Sequence, residues 1–115
     1  MHLEVENKVV AALRSGKFKQ GKMRLKNCSD EFCVLGVICE VSGLGTWRSI
    51  DGSREYLLPN GAVEAAVLPP DVKEWAGMVS CVGGYPNGSL MYDNDTKEKS
   101  FEELADFIEK NYQIL

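Results

Sequence analysis

Apolar positions along this chain follow more than one rhythm, and each rhythm predicts a different element. Between residues 3 and 15, Val5, Val9, Ala12 and Leu13 recur at three- and four-residue spacing, the mark of a one-faced helix. Gly16 stands where a glycine would end it, and Arg14 in the last turn suits the negative pole of the helix dipole. The stretch KFKQGKMRLK then changes period. Met23 and Leu25 alternate with Lys22, Arg24 and Lys26, which predicts a half-buried strand. From about residue 31 to 41, Phe32, Cys33, Val34, Leu35, Val37, Ile38, Cys39 and Val41 surround a helical axis on every side. A helix apolar all round belongs in the middle of a protein, and Ser29 or Asp30 is placed to cap it. Gly36 lowers helix propensity there, so its use is the close approach of another segment.

Hairpin signals follow. TWRSI and REYLL flank Asp51-Gly52, a tight-turn dipeptide, and Asn60-Gly61 marks a second turn before AVEAAV. Pro69-Pro70-Asp71 starts a short helix carrying Val72 and Trp75, stopped by Gly77. MVSCV and SLMY read as two short strands separated by the Gly/Pro/Asn-rich loop 83–88. The last helix has the clearest start: Ser100 with Glu103 makes a capping box, and Phe101, Leu104, Ala105, Ile108 and Tyr112 make one apolar face. Glu102, Asp106, Glu109 and Lys110 cover the opposite face. With no linker, repeat or low-complexity tract, residues 1–115 read as a single α+β domain. Its parts are a buried central helix, short antiparallel hairpin strands and an amphipathic C-terminal helix.

Charge changes the picture. The net charge is −4, yet Lys8, Arg14, Lys17, Lys19, Lys22, Arg24 and Lys26 form a run of seven basic residues with no acid among them. That leaves six of the thirteen basic residues to face all seventeen acids. An acidic chain argues against general affinity for duplex nucleic acid. The basic run can serve as a solvated arm balancing an acidic body, or it can hold a phosphate-bearing ligand or an acidic patch of a partner. Arg14, Ser15, Lys17, Lys19, Gln20, Lys22 and Arg24 are the candidate binding residues, because amides, a hydroxyl and cations would converge where the first helix ends. The N-terminus carries acids ahead of any apolar run, unlike a signal peptide, and no apolar stretch reaches the ~18 residues of a membrane span. The expected compartment is therefore the cytosol, where thiols stay reduced.

Spacing weighs against the obvious chemistries. On one helix Cys33 and Cys39 would lie ~9 Å apart along the axis, too far to share a zinc or form a disulfide, so they read as buried thiols. The only histidine is His2, near the terminus, so neither Cys28 nor Cys81 nor any serine has a histidine base to activate it. Asp93 and Asp95 could begin a calcium loop, but Lys97 and Lys99 occupy the next ligand positions. A surface turn ahead of the last helix accounts for both acids. VGGYPNGS lacks the Lys-Ser/Thr of a phosphate loop. Trp47 and Trp75 read as core aromatics. No cofactor, metal site or catalytic residue is expected.

The pieces ALRSGKFKQGKMRL (12–25), FCVLGVICE (32–40), LPPDVKEWAG (68–77) and LMYDNDTKEKSFEELADFIEKNY (90–112) together resemble a family of small proteins encoded by tailed bacteriophages and prophages. Members show Leu-Arg-Ser-Gly, an aromatic and a Gln, then a cysteine-bearing Leu-Gly-Val segment, and end in Asn-Asp followed by a Ser-Phe helix. Val34 stands where a second adjacent cysteine is often found, which discounts cysteine-pair chemistry further. The resemblance implies a phage accessory protein in a bacterial cytoplasm and brings no catalytic residue with it. The leading expectation is a non-enzymatic inhibitor or modulator that binds a bacterial host protein, such as a component of anti-phage defence. An alternative is a homo-oligomer that sequesters a nucleotide-like signal through its basic segment. A second alternative is a small enzyme using Asp93, Asp95 or Cys81.

Overall fold

In the computed structural model, which describes residues 1–115, helix α1 (Leu3–Arg14) turns Val5, Val9, Val10 and Leu13 inward, the face its period predicts. Strand β1 (Lys19–Gln20) runs parallel to β2 (Glu31–Phe32), pairing Lys19 with Glu31 and Gln20 with Phe32. Helix α2 (Val34–Ser42) follows at once, and its residues Val34 to Cys39 are all buried, as a helix apolar all round requires. It starts later than expected because β2 takes residues 31 and 32. Neither Ser29 nor Asp30 caps it: Cys33 is the N-cap residue, without a side-chain cap bond. Asp30 instead turns the chain with φ at 59° and pairs with Arg54 at 2.8 Å.

Gly36 permits the approach its position predicts. A β-carbon there would sit 1.8 Å from the Leu25 carbonyl oxygen. The strand expected around Met23 and Leu25 does not form. Leu25 is buried, but its N–H donates to Ala65 O and its carbonyl accepts from Cys33 N, two single bonds to different segments rather than a ladder. Met23 points to solvent.

Strands β3 (Thr46–Ile50), β4 (Ser53–Leu57) and β5 (Val63–Glu64) make an antiparallel meander. Asp51 and Gly52 both have positive φ, 47° and 78°, the backbone of a tight hairpin turn matched to strand twist. Tyr56 ties this sheet to the core: it is 1% exposed, and its hydroxyl donates to Cys39 O at 2.9 Å. Helix α3 (Pro70–Ala76) ends at Gly77, as expected.

Two expected strands are absent. Residues 78–82 have a strand-like composition, but Val79 N–H bonds to Leu115 O and Cys81 O accepts from Leu68 N, so the segment bridges two elements without a partner strand. Residues 90–92 belong to helix α4 (Leu90–Asp95), whose first turn is capped by Ser89 Oγ accepting from Tyr92 N at 3.0 Å. The loop between them carries a two-residue antiparallel pair, β6 (Gly84–Tyr85) with β7 (Gly88–Ser89). Helix α5 (Phe101–Asn111) opens with the expected capping box, Glu103 N donating to Ser100 Oγ and Ser100 N to Glu103 Oε1, both at 3.1 Å. It packs chiefly along α1. A single cluster of 25 buried apolar residues draws on all five helices, which makes the chain one α+β domain. No helix is long and apolar enough to cross a membrane.

Candidate functional site

Most of the basic run is tied to the chain's own polar groups. Arg14 fans across three carboxylates of α5, Glu102 at 3.2 Å, Asp106 at 2.5 Å and Glu109 at 3.1 Å. Those hydrogen bonds, to Glu109 first, hold its guanidinium further above its already high pKa. Ser15 Oγ donates to Ala12 O and accepts from Lys17 N, closing the end of α1. Lys19 pairs with Glu31 at 3.4 Å. Lys22 pairs with Glu98 and holds that carboxyl below the usual range. Arg24 donates to Ser53 Oγ at 3.1 Å. Lys17 has no side-chain partner and borders an open groove of about 360 Å³ with Phe18 and Val41. Arg14, Lys19 and Lys22 are thus committed to carboxylates, while Arg24 meets only a hydroxyl and Lys17 stays open beside the groove.

Gln20 has a different role from the one expected of it. Its side-chain amide donates to Asn94 Oδ1 at 2.9 Å and to Lys99 O at 2.8 Å, while its Oε1 accepts from Phe101 N. Asn94 is wholly buried. Its Oδ1 also accepts from Val34 N at 3.2 Å, supplying the cap that Cys33 does not give to α2. Its Nδ2 donates to Gly21 O and Asp95 Oδ1, each at 2.9 Å. One buried amide thus joins the loop after β1, the start of α2, and α4, and its Gln20 partner adds the start of α5. Asp93 and Asp95 are corrected accordingly. They are not a surface turn: Asp93 is buried and accepts from the Tyr85 hydroxyl at 2.6 Å, and Asp95 Oδ1 accepts from Met23 N at 3.0 Å.

That last bond shapes the surface. Met23 has φ at 69°, a left-handed conformation that a residue with a β-carbon adopts only when its surroundings impose it. Here Asp95 holds its N–H, Asn94 holds Gly21 two residues before it, and Lys22, its neighbour in the chain, pairs with Glu98. The outcome is a Met23 side chain 69% exposed. Tyr92, 49% exposed, lies three residues before Asp95 on α4, hence on the same helix face. The Lys97 ammonium sits 6.0 Å from the Tyr92 ring. Sequence reasoning missed both residues because it placed them in strands. Ser89 three positions before Tyr92 was the available signal for a helix there.

A family profile described as a domain of unknown function, DUF8296, matches residues 1–112. The chain belongs to this family. No curated protein and no solved structure matches it. The matched stretch of this DUF8296 chain contains the whole Gln20–Asn94 network and the surface it builds.

The thiols of the DUF8296 chain divide by position. Cys33 and Cys39 are buried in and beside α2, and burial pushes the Cys33 thiol up to about 11 and the Cys39 thiol higher still. A thiol so raised stays protonated and is a poor nucleophile. Cys28 is exposed and Cys81 half-buried. No three His, Cys, Asp or Glu side chains come together as a metal set.

Proposed function

We propose that this chain is a phage accessory protein that acts by binding, as a non-enzymatic inhibitor or modulator of a bacterial protein in the host cytoplasm, through the face carrying Met23 and Tyr92. The observation that supports this reading is the left-handed backbone at Met23. Strain of that kind costs ~1–3 kcal/mol and persists only where neighbours over-determine it. Three contacts here do so, and they display a methionine in water instead of burying it. Methionine and tyrosine are enriched at the centres of protein interfaces. Lys22, Lys97 and Glu98 around them give the polar rim that such a centre needs.

The test is affinity capture from lysate of phage-infected bacteria, with wild type beside the double variant Met23→Asp, Tyr92→Ala. A stoichiometric host protein retained by wild type, and bound roughly thirtyfold or more weakly by the variant, is expected from the loss of two central anchors. Circular dichroism of the variant must match wild type, since both side chains are exposed. Recovery of no stoichiometric partner, or equal retention by both proteins, would reject the reading.

A further inference from the structure

We propose that the cleft between α4 and the first turns of α5 binds an apolar α-amino acid as its zwitterion, the ligand's ammonium on Asp93 and its carboxylate between Lys97 and Lys99. The cleft measures about 160 Å³, the liquid volume of about five waters, room for a molecule of amino-acid size.

Asp93 is the anchor. Its residue is 5% exposed, and the only protein donor to its carboxylate is the Tyr85 hydroxyl on Oδ2 at 2.6 Å. No buried side-chain oxygen in the molecule lacks a partner, so Oδ1 must reach open space, and the cleft is the space that Asp93 lines. A carboxylate withdrawn from bulk water with one oxygen unfilled favours a charged donor there. Tyr85 cannot neutralise it by giving up its proton: the hydrogen bond to Asp93, and then burial, push the phenol up to about 12. Lys97 and Lys99 line the same cleft and make no ion pair with Asp93 or any other carboxylate.

Charge selects the ligand class. Asp93 and Glu103 balance Lys97 and Lys99, so the cleft is neutral overall but polarised. A phosphate would meet the lysines and also the free oxygen of Asp93. A bare metal ion would find two carboxylates and no third ligand. A zwitterion satisfies both ends at once. Its apolar side chain would lie on Leu104 and on the Tyr85 and Phe107 rings, whose centroids are 4.8 Å apart. Asp93 and Tyr92 are consecutive on α4, one buried and the other exposed, and Lys97 borders both surfaces, so Asp93→Asn tests this cleft alone while Met23→Asp with Tyr92→Ala tests the other face alone.

The experiment titrates the full chain with L-leucine, isocaproate (no amine) and isoamylamine (no carboxylate), followed by backbone amide NMR and calorimetry. L-Leucine is expected to give saturable shifts around Tyr85, Asp93 and Phe107, with each analogue about tenfold or more weaker. Asp93→Asn keeps an acceptor for Tyr85 but removes the charge, and affinity should drop about tenfold or more. Lys97→Gln with Lys99→Gln should weaken L-leucine comparably while leaving isoamylamine unchanged. Both lysines are exposed, so this variant decides the matter should Asp93→Asn unfold. No saturable shift with millimolar L-leucine, equal binding of isocaproate, displacement by inorganic phosphate, or undiminished binding by the lysine variant would each overturn the assignment.

Discussion

Gln20 and Asn94 meet amide to amide, Nε2 donating to Oδ1 at 2.9 Å, although 74 residues separate them in the chain. Around this contact Asn94 also accepts from Val34 N and donates to Gly21 O and Asp95 Oδ1. Asn94→Ala leaves a buried N–H and a carbonyl without partners, each costing ~1–3 kcal/mol. The expected loss is about 3 kcal/mol or more in urea unfolding, with Gln20→Ala costing less. Because both residues belong to one network, the double variant should cost less than the two single losses together. Simple additivity would show that the two amides act independently.

Gly36 faces the Leu25 carbonyl so closely that no side chain fits. By helix propensity alone Gly36→Ala should stabilise α2 by ~1 kcal/mol. Contact decides against propensity here, since the obstacle is backbone and cannot rotate away. The expected result is destabilisation of about 3 kcal/mol or more, with a lowered thermal midpoint. A midpoint at or above that of wild type would mean that α2 and the Leu25 segment are less tightly joined than described.

Much of this fold is legible in the sequence where an element is long and its burial is apolar. The period of α1, the all-round hydrophobicity of α2, the Asp51-Gly52 turn and the Ser100–Glu103 box each report directly on backbone physics. Elements buried through polar groups are not legible in that way. Helix α4 is six residues long and buries Leu90 beside Asp93 and Asn94, so no apolar stripe announces it. Residues 78–82 read as a strand because Val79 and Val82 favour β geometry, yet no neighbouring chain runs alongside to pair with them. Met23 misleads by alternation with Leu25, since the bond from its N–H to Asp95 reverses its side chain outward. The first and last of the four pieces singled out in the sequence, 12–25 and 90–112, gain a physical meaning from this. The Gln of the first piece and the Asn-Asp and Ser-Phe of the last meet in one hydrogen-bond network.

Arg14 is expected to contribute modestly despite touching three carboxylates. The acids are half exposed or more, and exposed pairs are worth ~0.2–1 kcal/mol each after side-chain ordering. Removing the cation also leaves Glu102, Asp106 and Glu109 repelling one another along one face of α5. Arg14→Ala should therefore lower stability only slightly at low salt, and the difference should shrink markedly at 1 M salt, where the screening length is ~3 Å. An effect that grows with salt would point to packing of the arginine stem along α1 as its main role.

Burial of Cys33 and Cys39 carries its own pH signature. Both folded-state pKa values are raised, so the folded chain binds more protons than the unfolded one above the ordinary thiol value near ~8.5. Their contribution to stability is complete below that pH and is lost as pH rises toward the folded values, about 11 for Cys33. The unfolding free energy from urea titrations on the alkaline side should fall across this window by an amount on the order of a few kcal/mol. A thiol reagent adds a residue-resolved check at neutral pH. Exposed Cys28 should react first and half-buried Cys81 more slowly, while Cys33 and Cys39 should become reactive only on unfolding. Rapid modification of either α2-associated thiol in the native state would place it on an accessible surface and reopen cysteine chemistry as a function of this chain.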